Sequence, residues 1–353
     1  MDRLKKVRDK FNGLGIDGLL ITNSKNRRYM TGFTGSAGIV IISSTKAVFI
    51  TDFRYVEQAK NQVQNYEIVH HKGPIHEEVA KLVKDLGIKH LGFEQDEMTF
   101  GTFKIFENAV SAKMVPISGV IEKLRLIKTD EELQILKEAA AIADQAFEHI
   151  IKVIKPGVNE LDVSNELEFF MRKKGATSSS FDTIVASGFR SALPHGVASD
   201  KVIQAGELVT LDFGAYYKGY CSDITRTVGV GEISDVLKNI YGIVLQAQLL
   251  GMNGIKAGMI GKKADALTRD YIIAKGYGDY FGHSTGHGIG LDIHEGPALS
   301  VKSDTILEPG MVVTVEPGIY LEGVGGVRIE DDIVITKDGN VALTHSEKEL
   351  LLL

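Results

Sequence analysis

The sequence predicts a small α/β domain followed by a larger α+β domain in one chain of 353 residues. The length corresponds to two domains at roughly 150 residues each. In the first third, short apolar runs alternate with helical patterns, whereas later helical patterns are separated by glycine-rich, strand-like segments. We predict an N-terminal domain over 1–120, a linker over 121–128 and a second domain over 129–353.

Short elements build the first domain. Apolar side chains over 2–14 recur every three or four positions, which predicts a helix. Short apolar runs predict buried strands, and longer mixed runs predict helices. The predicted strands are 18–21, 39–42, 48–50, 68–69 and 90–93, and the predicted helices are 52–64 and 79–86.

The second domain is expected to begin with a long helix. Thr129 can cap its first turn, and Glu132, three residues later, completes a capping box. The helical pattern continues to about Ile154, where the sequence Lys-Pro-Gly ends it. Three further helices are predicted over 160–174, 234–253 and 261–275.

Composition excludes several classes of protein. Apolar residues at 44% and charged residues at 24% are typical of a soluble globular protein. A net charge of −6 argues against a nucleic-acid partner. No window approaches the ~18 continuous apolar residues of a membrane helix, and no signal peptide is expected. The single cysteine, Cys221, excludes an intrachain disulfide, and we expect a buried thiol in a reducing, cytoplasmic compartment.

Four acidic residues close apolar, strand-like runs in the second domain. Asp212 ends the run 208–211, and Asp223 lies on the return arm of the same predicted hairpin. Glu316 and Glu330 follow similar runs nearer the C-terminus. Buried carboxylates repel one another unless they are protonated or bridged by a cation, so each of these residues needs a partner.

Three of the ten histidines, His283, His287 and His294, fall within twelve residues. The first two have the spacing of a helical zinc motif, but the glycines around them disfavour a helix. Four carboxylates with one imidazole suit Mn²⁺, Co²⁺, Fe²⁺ or Zn²⁺ better than a thiolate-preferring ion. Such a set can hold two ions about 3.5–4 Å apart, which together activate water and polarise a carbonyl.

The order of these residues resembles the pita-bread metallopeptidases, which include methionine aminopeptidase, aminopeptidase P and the Xaa-Pro dipeptidases (prolidases). The first domain resembles the N-terminal domain of aminopeptidase P, prolidase and creatinase. Methionine aminopeptidase lacks that domain, and creatinase does not retain the five metal ligands, so the resemblance points to the proline-specific branch. The matching segments are 193–196, 210–214, 221–227, 283–295, 314–320 and 326–333.

The resemblance implies a set of metal ligands. Asp223 and Glu330 would bridge two divalent ions, and Asp212 would chelate one of them. His287 and Glu316 would complete the shell of the other ion, and Glu316 would also move a proton from the attacking water. Mn²⁺ is the expected metal, with Co²⁺ or Zn²⁺ as alternatives.

The resemblance also implies residues that meet the substrate. His195 and His294 would contact the substrate carbonyl and the tetrahedral intermediate, and His283 is a further catalytic histidine. Arg328 would orient carboxylates or bind the C-terminal carboxylate of the substrate. Phe181 precedes a strand-like run that leads toward His195, so we expect it to line the proline pocket.

The expected function is metal-dependent hydrolysis of the bond between an N-terminal residue and proline, the reaction of an Xaa-Pro dipeptidase. The substrates would be small peptides with proline at the second position. The alternative is aminopeptidase P, which acts on longer Xaa-Pro-Yaa peptides. Because the family is usually dimeric or tetrameric, we expect a homodimer.

Two alternatives come from different functional classes. Residues 282–286 match the G-x-S-x-G pattern of a serine hydrolase, with Ser284 as nucleophile and Asp331 and His345 downstream. However, no hydrophobic strand precedes this pattern, and glycines disfavour the helix that should follow it. A non-catalytic pita-bread binding protein is the other alternative, but the chain retains all five ligands.

Overall fold

The computed structural model describes residues 3–353, and these divide after Arg125 into two compact units. The first is an α/β unit and the second an α+β unit, as the sequence predicts. The segment 121–128, predicted as a linker, is partly helical because the helix Val120–Arg125 occupies most of it. The predicted domain boundaries stay a prediction.

Seven helices of the first unit lie within the described residues. The predicted helix 2–14 is two helices separated by a turn, and its first residue, Asp2, lies outside the described residues. The helices are α1 (Arg3–Arg8), α2 (Phe11–Leu14), α3 (Ser24–Thr31), α4 (Val56–Gln62), α5 (Ile75–Asp85), α6 (Phe100–Ala109) and α7 (Val120–Arg125).

A six-stranded mixed sheet forms the centre of the first unit, in the order β4-β3-β2-β1-β5-β6. Its strands are β1 (Gly18–Ile21), β2 (Ile39–Ser43), β3 (Ala47–Thr51), β4 (Glu67–His70), β5 (His90–Glu94) and β6 (Lys113–Ile117). All five predicted strands are present, and β6 is an addition. Apolar residues of the sheet pack against α5 and α6 to form the core of this unit.

Four long helices belong to the second unit: α8 (Asp130–Ile150), α9 (Glu160–Lys173), α10 (Asp235–Gly254) and α11 (Gly261–Ala274). The predicted capping box is present at the start of α8. The Thr129 amide donates to Glu132 Oε2 at 2.8 Å, and the Glu132 amide donates to Thr129 Oγ1 at 3.3 Å. Helix α8 ends four residues before the predicted position, and turns occupy the remainder.

The strands of the second unit form four small sheets, in the orders β11-β10-β7, β12-β9-β8, β14-β13-β15-β18-β19 and β16-β17. The strands are β7 (Ser178–Ser179), β8 (Ile184–Ser187), β9 (Leu208–Phe213), β10 (Ala215–Tyr217), β11 (Tyr220–Cys221), β12 (Ile224–Gly229), β13 (Gly286–Gly288), β14 (Glu295–Leu299), β15 (Val312–Val315), β16 (Gly318–Leu321), β17 (Gly325–Arg328), β18 (Asp331–Ile335) and β19 (Asn340–Ala342).

The predicted hairpin around 208–227 crosses from one sheet to another. Strands β9 and β12 pair in one sheet, while β10 and β11 pair in a second sheet beyond Gly214. A Cβ atom at Gly214 would lie 1.8 Å from the carbonyl oxygen of Ser222. Only glycine permits this approach, which brings the two arms together beside the carboxylates.

Alternation along β9 decides which side chains reach the site. Val209, Leu211 and Phe213 are fully buried in a core formed with α8 and α9. The side chains between them point to the opposite face of the sheet, and Asp212 is one of these. Among residues 3–353, no helix combines the length and the apolar character needed to cross a bilayer.

Candidate active site

The ends of several strands bring the predicted ligands together. Asp212 in β9 pairs with Thr225 of β12, and Asp223 immediately precedes β12. Glu316 follows β15, and Glu330 lies between β17 and β18. Because β15 and β18 pair directly, these two glutamates come from neighbouring strand ends.

His287 reaches the same place from the glycine-rich segment. It lies in the middle of β13, which pairs with β15 on one side and β14 on the other. The segment is therefore extended rather than helical, as its glycines predict. A Cβ atom at Gly288 would lie 1.9 Å from the carbonyl oxygen of Gly296, so glycine is needed for this pairing.

All ten residues predicted as catalytic, substrate-binding or metal-ligating line one cavity of about 530 Å³. They are Phe181, His195, Asp212, Asp223, His283, His287, His294, Glu316, Arg328 and Glu330. Apolar side chains, among them Ile184, Pro194 and Ile293, complete the wall. A concave site with an apolar wall and convergent polar groups is typical of an enzyme that binds a small substrate.

Three side chains offer atoms close enough to share one cation. Asp223, His287 and Glu330 each present a ligand atom, and these atoms lie within 4.8 Å of one another. His287 Nε2 also lies 3.3 Å from Glu316 Oε1 and 3.8 Å from Asp223 Oδ2. The donors are carboxylate oxygens and one imidazole nitrogen, a set that suits a divalent transition metal.

Several buried carboxylate oxygens in this cluster have no hydrogen bond within residues 3–353. They are Asp212 Oδ1, Asp223 Oδ1 and Glu330 Oε1. Buried charged oxygens require a partner, and a bound cation supplies one. The residues present therefore fit divalent metal ions.

Burial and mutual repulsion disfavour the ionised form of this cluster. Desolvation and the neighbouring carboxylates raise the pKa of Asp223 and of Glu330 well above their usual values. Desolvation also raises the pKa of Glu316 to about 8, although Arg328 opposes that shift. The metal-free site therefore holds protons that a divalent cation would displace.

The His287 ring has the tautomer that a metal ligand needs. Its Nδ1 lies 3.1 Å from the carbonyl oxygen of Gly288, which can only accept, so Nδ1 carries the proton. Desolvation lowers the pKa of His287 to about 4, so the ring is neutral near pH 7. The Nε2 lone pair is therefore available and faces the carboxylates.

Neighbouring side chains orient the carboxylates, and sequence reasoning did not identify them. Thr225 Oγ1 donates to Glu330 Oε2 at 2.6 Å, and Thr314 Oγ1 donates to Glu316 Oε1 at 3.0 Å. Each threonine lies on a strand that carries or adjoins a ligand, and its hydroxyl reaches the carboxylate of a ligand. Strand alternation around Asp212 and Glu316 could have indicated both positions.

The Arg328 guanidinium donates hydrogen bonds to three neighbouring side chains. Its Nη2 donates to Asp212 Oδ2 at 2.5 Å, its Nε donates to Thr225 Oγ1 at 3.2 Å and its Nη1 donates to the Tyr320 hydroxyl at 2.9 Å. Three of its five N–H groups are thus used, and two remain. Of the two predicted roles for Arg328, the orientation of a carboxylate matches these contacts directly.

Tyr320 links Arg328 to His283. His283 Nδ1 lies 2.8 Å from the carbonyl oxygen of Ser284, so it carries the proton and Nε2 is left to accept. Nε2 lies 2.8 Å from the Tyr320 hydroxyl, which therefore donates to it. Desolvation lowers the pKa of His283 to about 4 and raises that of Tyr320 to about 12, so both groups are neutral near pH 7.

This arrangement bears on the catalytic role predicted for His283. The ring lines the cavity, but both of its nitrogens are engaged by protein groups. Its catalytic role stays a prediction. Tyr320 was not predicted, although its place two residues after Gly318, the partner of Arg328 across the β16–β17 hairpin, was a usable signal.

The remaining two histidines differ from His283 and His287. His195 and His294 are exposed residues on loops, and within the described chain neither ring makes a hydrogen bond or ion pair. The His294 ring packs beside the imidazole of His287, with ring centroids 4.3 Å apart. Both imidazoles are therefore free to meet a substrate.

The structure lacks the arrangement of residues that a serine hydrolase requires. Ser284 lines the cavity, but a strand, β13, follows it instead of a helix. Asp331 is buried against Arg226, and His345 is an exposed residue paired with Asp144. No Ser-His-Asp triad is assembled from these three residues.

Comparison with known protein families gives a match for each of the two units. Residues 134–337 match the model of metallopeptidase family M24, and residues 3–127 match the creatinase/prolidase N-terminal domain. The chain belongs to family M24. It is therefore a metal-dependent peptidase, and its second unit is a pita-bread catalytic domain that follows a creatinase-type N-terminal domain. The non-catalytic alternative does not agree with this membership.

Family M24 relatives resemble the chain over nearly its whole length. An uncharacterized peptidase of Bacillus subtilis is 65% identical and covers 99% of this chain and 100% of its own. The solved structure of an Xaa-Pro dipeptidase from Bacillus anthracis is 67% identical, with a TM-score of 0.99 and 99% of each chain covered. That of an X-Pro aminopeptidase from Thermotoga maritima is 42% identical, with a TM-score of 0.91 and coverage of 98% and 100%.

Proposed function

We propose that this family M24 member is an Xaa-Pro dipeptidase that uses two divalent metal ions. The observation that carries the proposal is that the four predicted carboxylates and four histidines meet in one cavity with an apolar wall. The likeness to an Xaa-Pro dipeptidase at 67% identity supports the proline specificity. A dedicated peptidase is chemically reasonable, since the Xaa-Pro bond is a tertiary amide with restricted geometry.

The proposed metal ligands are the five residues implied by the sequence. Asp223 and Glu330 would bridge the ions, while Asp212, His287 and Glu316 would complete their shells. When bound, the ions would supply Lewis acidity toward the scissile carbonyl and toward water. Mn²⁺ is the proposed ion, because oxygen-rich donor sets with one imidazole suit it.

The chain's own residues would perform the proton transfers and stabilise charge. Glu316 would take a proton from the attacking water on a carboxylate oxygen and deliver it to the proline nitrogen, which must be protonated to leave. His195 and His294 would donate hydrogen bonds to the oxygen on which negative charge develops. Phe181 would line the pocket for the pyrrolidine ring.

Arg328 and His283 would help to shape the site and orient the groups in it. Arg328 would hold Asp212 in place, and its two remaining N–H groups would be able to meet a substrate carboxylate. His283, kept neutral by its burial, would form part of the wall and hold the Tyr320 hydroxyl in place through a hydrogen bond. A cytoplasmic location, supported by the single cysteine, is part of the same proposal, and so is a homodimer.

A second candidate is aminopeptidase P activity on longer peptides. The likeness to an X-Pro aminopeptidase at 42% identity favours it. The two candidates differ in whether the cavity accepts a residue beyond proline.

Hydrolysis of Ala-Pro, Ala-Pro-Ala and Ala-Ala separates these activities. Each peptide is incubated with Mn²⁺-loaded protein and with excess chelator. The dipeptidase proposal predicts metal-dependent cleavage of Ala-Pro alone. Efficient cleavage of Ala-Pro-Ala would instead support an aminopeptidase P. Cleavage of Ala-Ala as fast as Ala-Pro, or of neither proline peptide, would contradict the proline specificity.

A further inference from the structure

His195 is held in the cavity by its backbone rather than by its side chain. It lies in the segment 187–199, which leaves the end of β8 and returns beside it, where Val197 bridges Ile184 in antiparallel fashion. Within residues 3–353 its ring makes no hydrogen bond or ion pair. Whatever fixes the path of this segment therefore fixes where the imidazole points.

A single buried carboxylate joins the two ends of the segment. Glu160 is the first residue of α9 and is 0% exposed. Its Oε1 accepts hydrogen bonds from the Ser187 amide at 2.7 Å and from the Ser187 hydroxyl at 2.8 Å. Its Oε2 accepts from the Ser199 amide at 3.1 Å and from the Ser199 hydroxyl at 2.7 Å. Oε1 thus holds the Ser187 end of the segment, and Oε2 holds the Ser199 end.

Arg190 braces the middle of the segment to the same carboxylate. Its Nη1 donates to Glu160 Oε2, and its Nη2 donates to the carbonyl oxygen of Val197 at 2.8 Å. Val197 lies two residues after His195, so the hydrogen bond from Arg190 links the residues on either side of the histidine. The guanidinium also compensates the charge of Glu160, which would otherwise be costly to bury.

We propose that Glu160 is a positioning residue that sets the location of His195 by clamping residues 187–199. This inference rests on the proposed function, in which His195 meets the substrate carbonyl. Glu160 itself lies outside the residues that line the cavity, so its effect on the reaction would pass entirely through the segment. A small displacement of a group that contacts the reacting atoms lowers the rate strongly.

The test substitution is Glu160→Gln, which keeps the shape but leaves only one atom able to accept hydrogen bonds. The matched control is Glu166→Gln on the same helix, because Glu166 pairs with His149 rather than with the segment. Hydrogen–deuterium exchange should increase over 187–199 in Glu160→Gln while β9 stays protected. The Glu166→Gln variant should exchange like the wild type over both regions.

The second readout is a double-mutant cycle with His195→Ala. We expect Glu160→Gln to lower kcat/KM for Ala-Pro about 10- to 100-fold with unchanged metal content. In the His195→Ala background the same change should cost less than about twofold, since the group that it positions is gone. Additive losses in the two backgrounds would overturn the proposal.

Global destabilisation is separated from positioning by the exchange pattern. Equal loss of protection in 187–199 and in β9 would overturn the clamp. If Glu160→Gln does not fold, Ser199→Ala replaces it, because this change removes one hydroxyl donor and keeps the carboxylate. It should loosen the end of the segment near Ser199 and lower kcat/KM only when His195 is present. If the wild type cleaves no Ala-Pro, the proposed function fails, and the exchange data alone decide on the clamp.

Discussion

The cavity has two parts that are built differently. Its floor comprises Asp212, Asp223, His287, Glu316 and Glu330, which lie in strands or directly beside them and are largely buried. Its rim comprises His195 and His294, which lie on exposed loops with rings that are free of hydrogen bonds in the described chain. The floor is thus organised by the sheets, and the rim by loop backbone. Metal retention should depend on the first and substrate contact on the second.

The largest effect is expected from the floor. Asp223→Asn or Glu330→Gln removes a proposed bridging ligand, so Ala-Pro hydrolysis should fall by much more than the ~100-fold that a change around a ligand costs. Metal content, measured on the dialysed protein by mass spectrometry, should fall with it. Full activity in either variant would refute the dinuclear assignment.

The same substitutions should not destabilise the metal-free protein, although they abolish activity. Asp223 lies among carboxylates that repel it, and its removal relieves that repulsion. The thermal midpoint of chelated Asp223→Asn should therefore equal or exceed that of chelated wild type. A clearly lower midpoint would indicate that the carboxylate stabilises the fold without metal.

A rim substitution should separate activity from metal retention. His195→Ala is expected to lower kcat for Ala-Pro by about 10²- to 10³-fold, the usual effect of losing one donor to a developing oxyanion. The metal content and thermal midpoint should match the wild type. Loss of metal in this variant would show that floor and rim are not independent.

A smaller effect is expected at Tyr320, whose hydroxyl joins Arg328 to His283. Tyr320→Phe removes the hydroxyl that accepts from Arg328 and donates to His283. The free energy of unfolding should decrease by about 1–3 kcal/mol, because buried polar groups lose a partner. Urea unfolding of the metal-loaded protein measures this, with Tyr217→Phe as a control away from the cavity. An unchanged stability would mean that water replaces the hydroxyl.

A further prediction concerns the pH dependence of the stability of the metal-free protein. The pKa values of Asp223, Glu330 and Glu316 are raised in the fold, that of Glu316 to about 8. A raised carboxyl pKa gives stability that is present at low pH and lost as pH rises from the unfolded value, about 4, toward the folded one.

Chelated protein should therefore unfold more easily at pH 8 than at pH 5. Urea titrations at the two pH values measure the difference, and Asp223→Asn should reduce it. Metal-loaded protein should lose less stability over the same interval, since the carboxylates are already ionised around the cations. Equal pH dependence with and without metal would contradict this account of the floor.

The floor could be predicted from sequence and the contacts around it largely could not. Asp212 and Glu316 are recognisable because a charged residue that closes an apolar run needs a partner wherever it is buried. Glu160 carries no such signal: its partners lie up to 39 residues away, and only the fold brings them together. His283 illustrates a further limit, because its spacing indicated a site residue but could not reveal that both ring nitrogens are engaged.

The secondary structure likewise includes elements that local sequence predicts and elements that it does not. The capping box at Thr129 and the strand 18–21 follow from local sequence and are present in the structure. Helix α3 was missed although Asn23 caps it, because its short polar sequence has little helical periodicity. Local signals identify elements with clear caps or apolar runs, whereas tertiary contacts decide the others.

The central claim is that the floor holds two divalent ions on which Xaa-Pro hydrolysis depends. The most direct measurement is the rate of Ala-Pro hydrolysis by metal-free protein as Mn²⁺ is added in known equivalents per chain. We expect no activity without metal and a rise that ends when two ions per chain are bound. Full activity in the chelated protein, or a rate that does not depend on Mn²⁺, would contradict the claim.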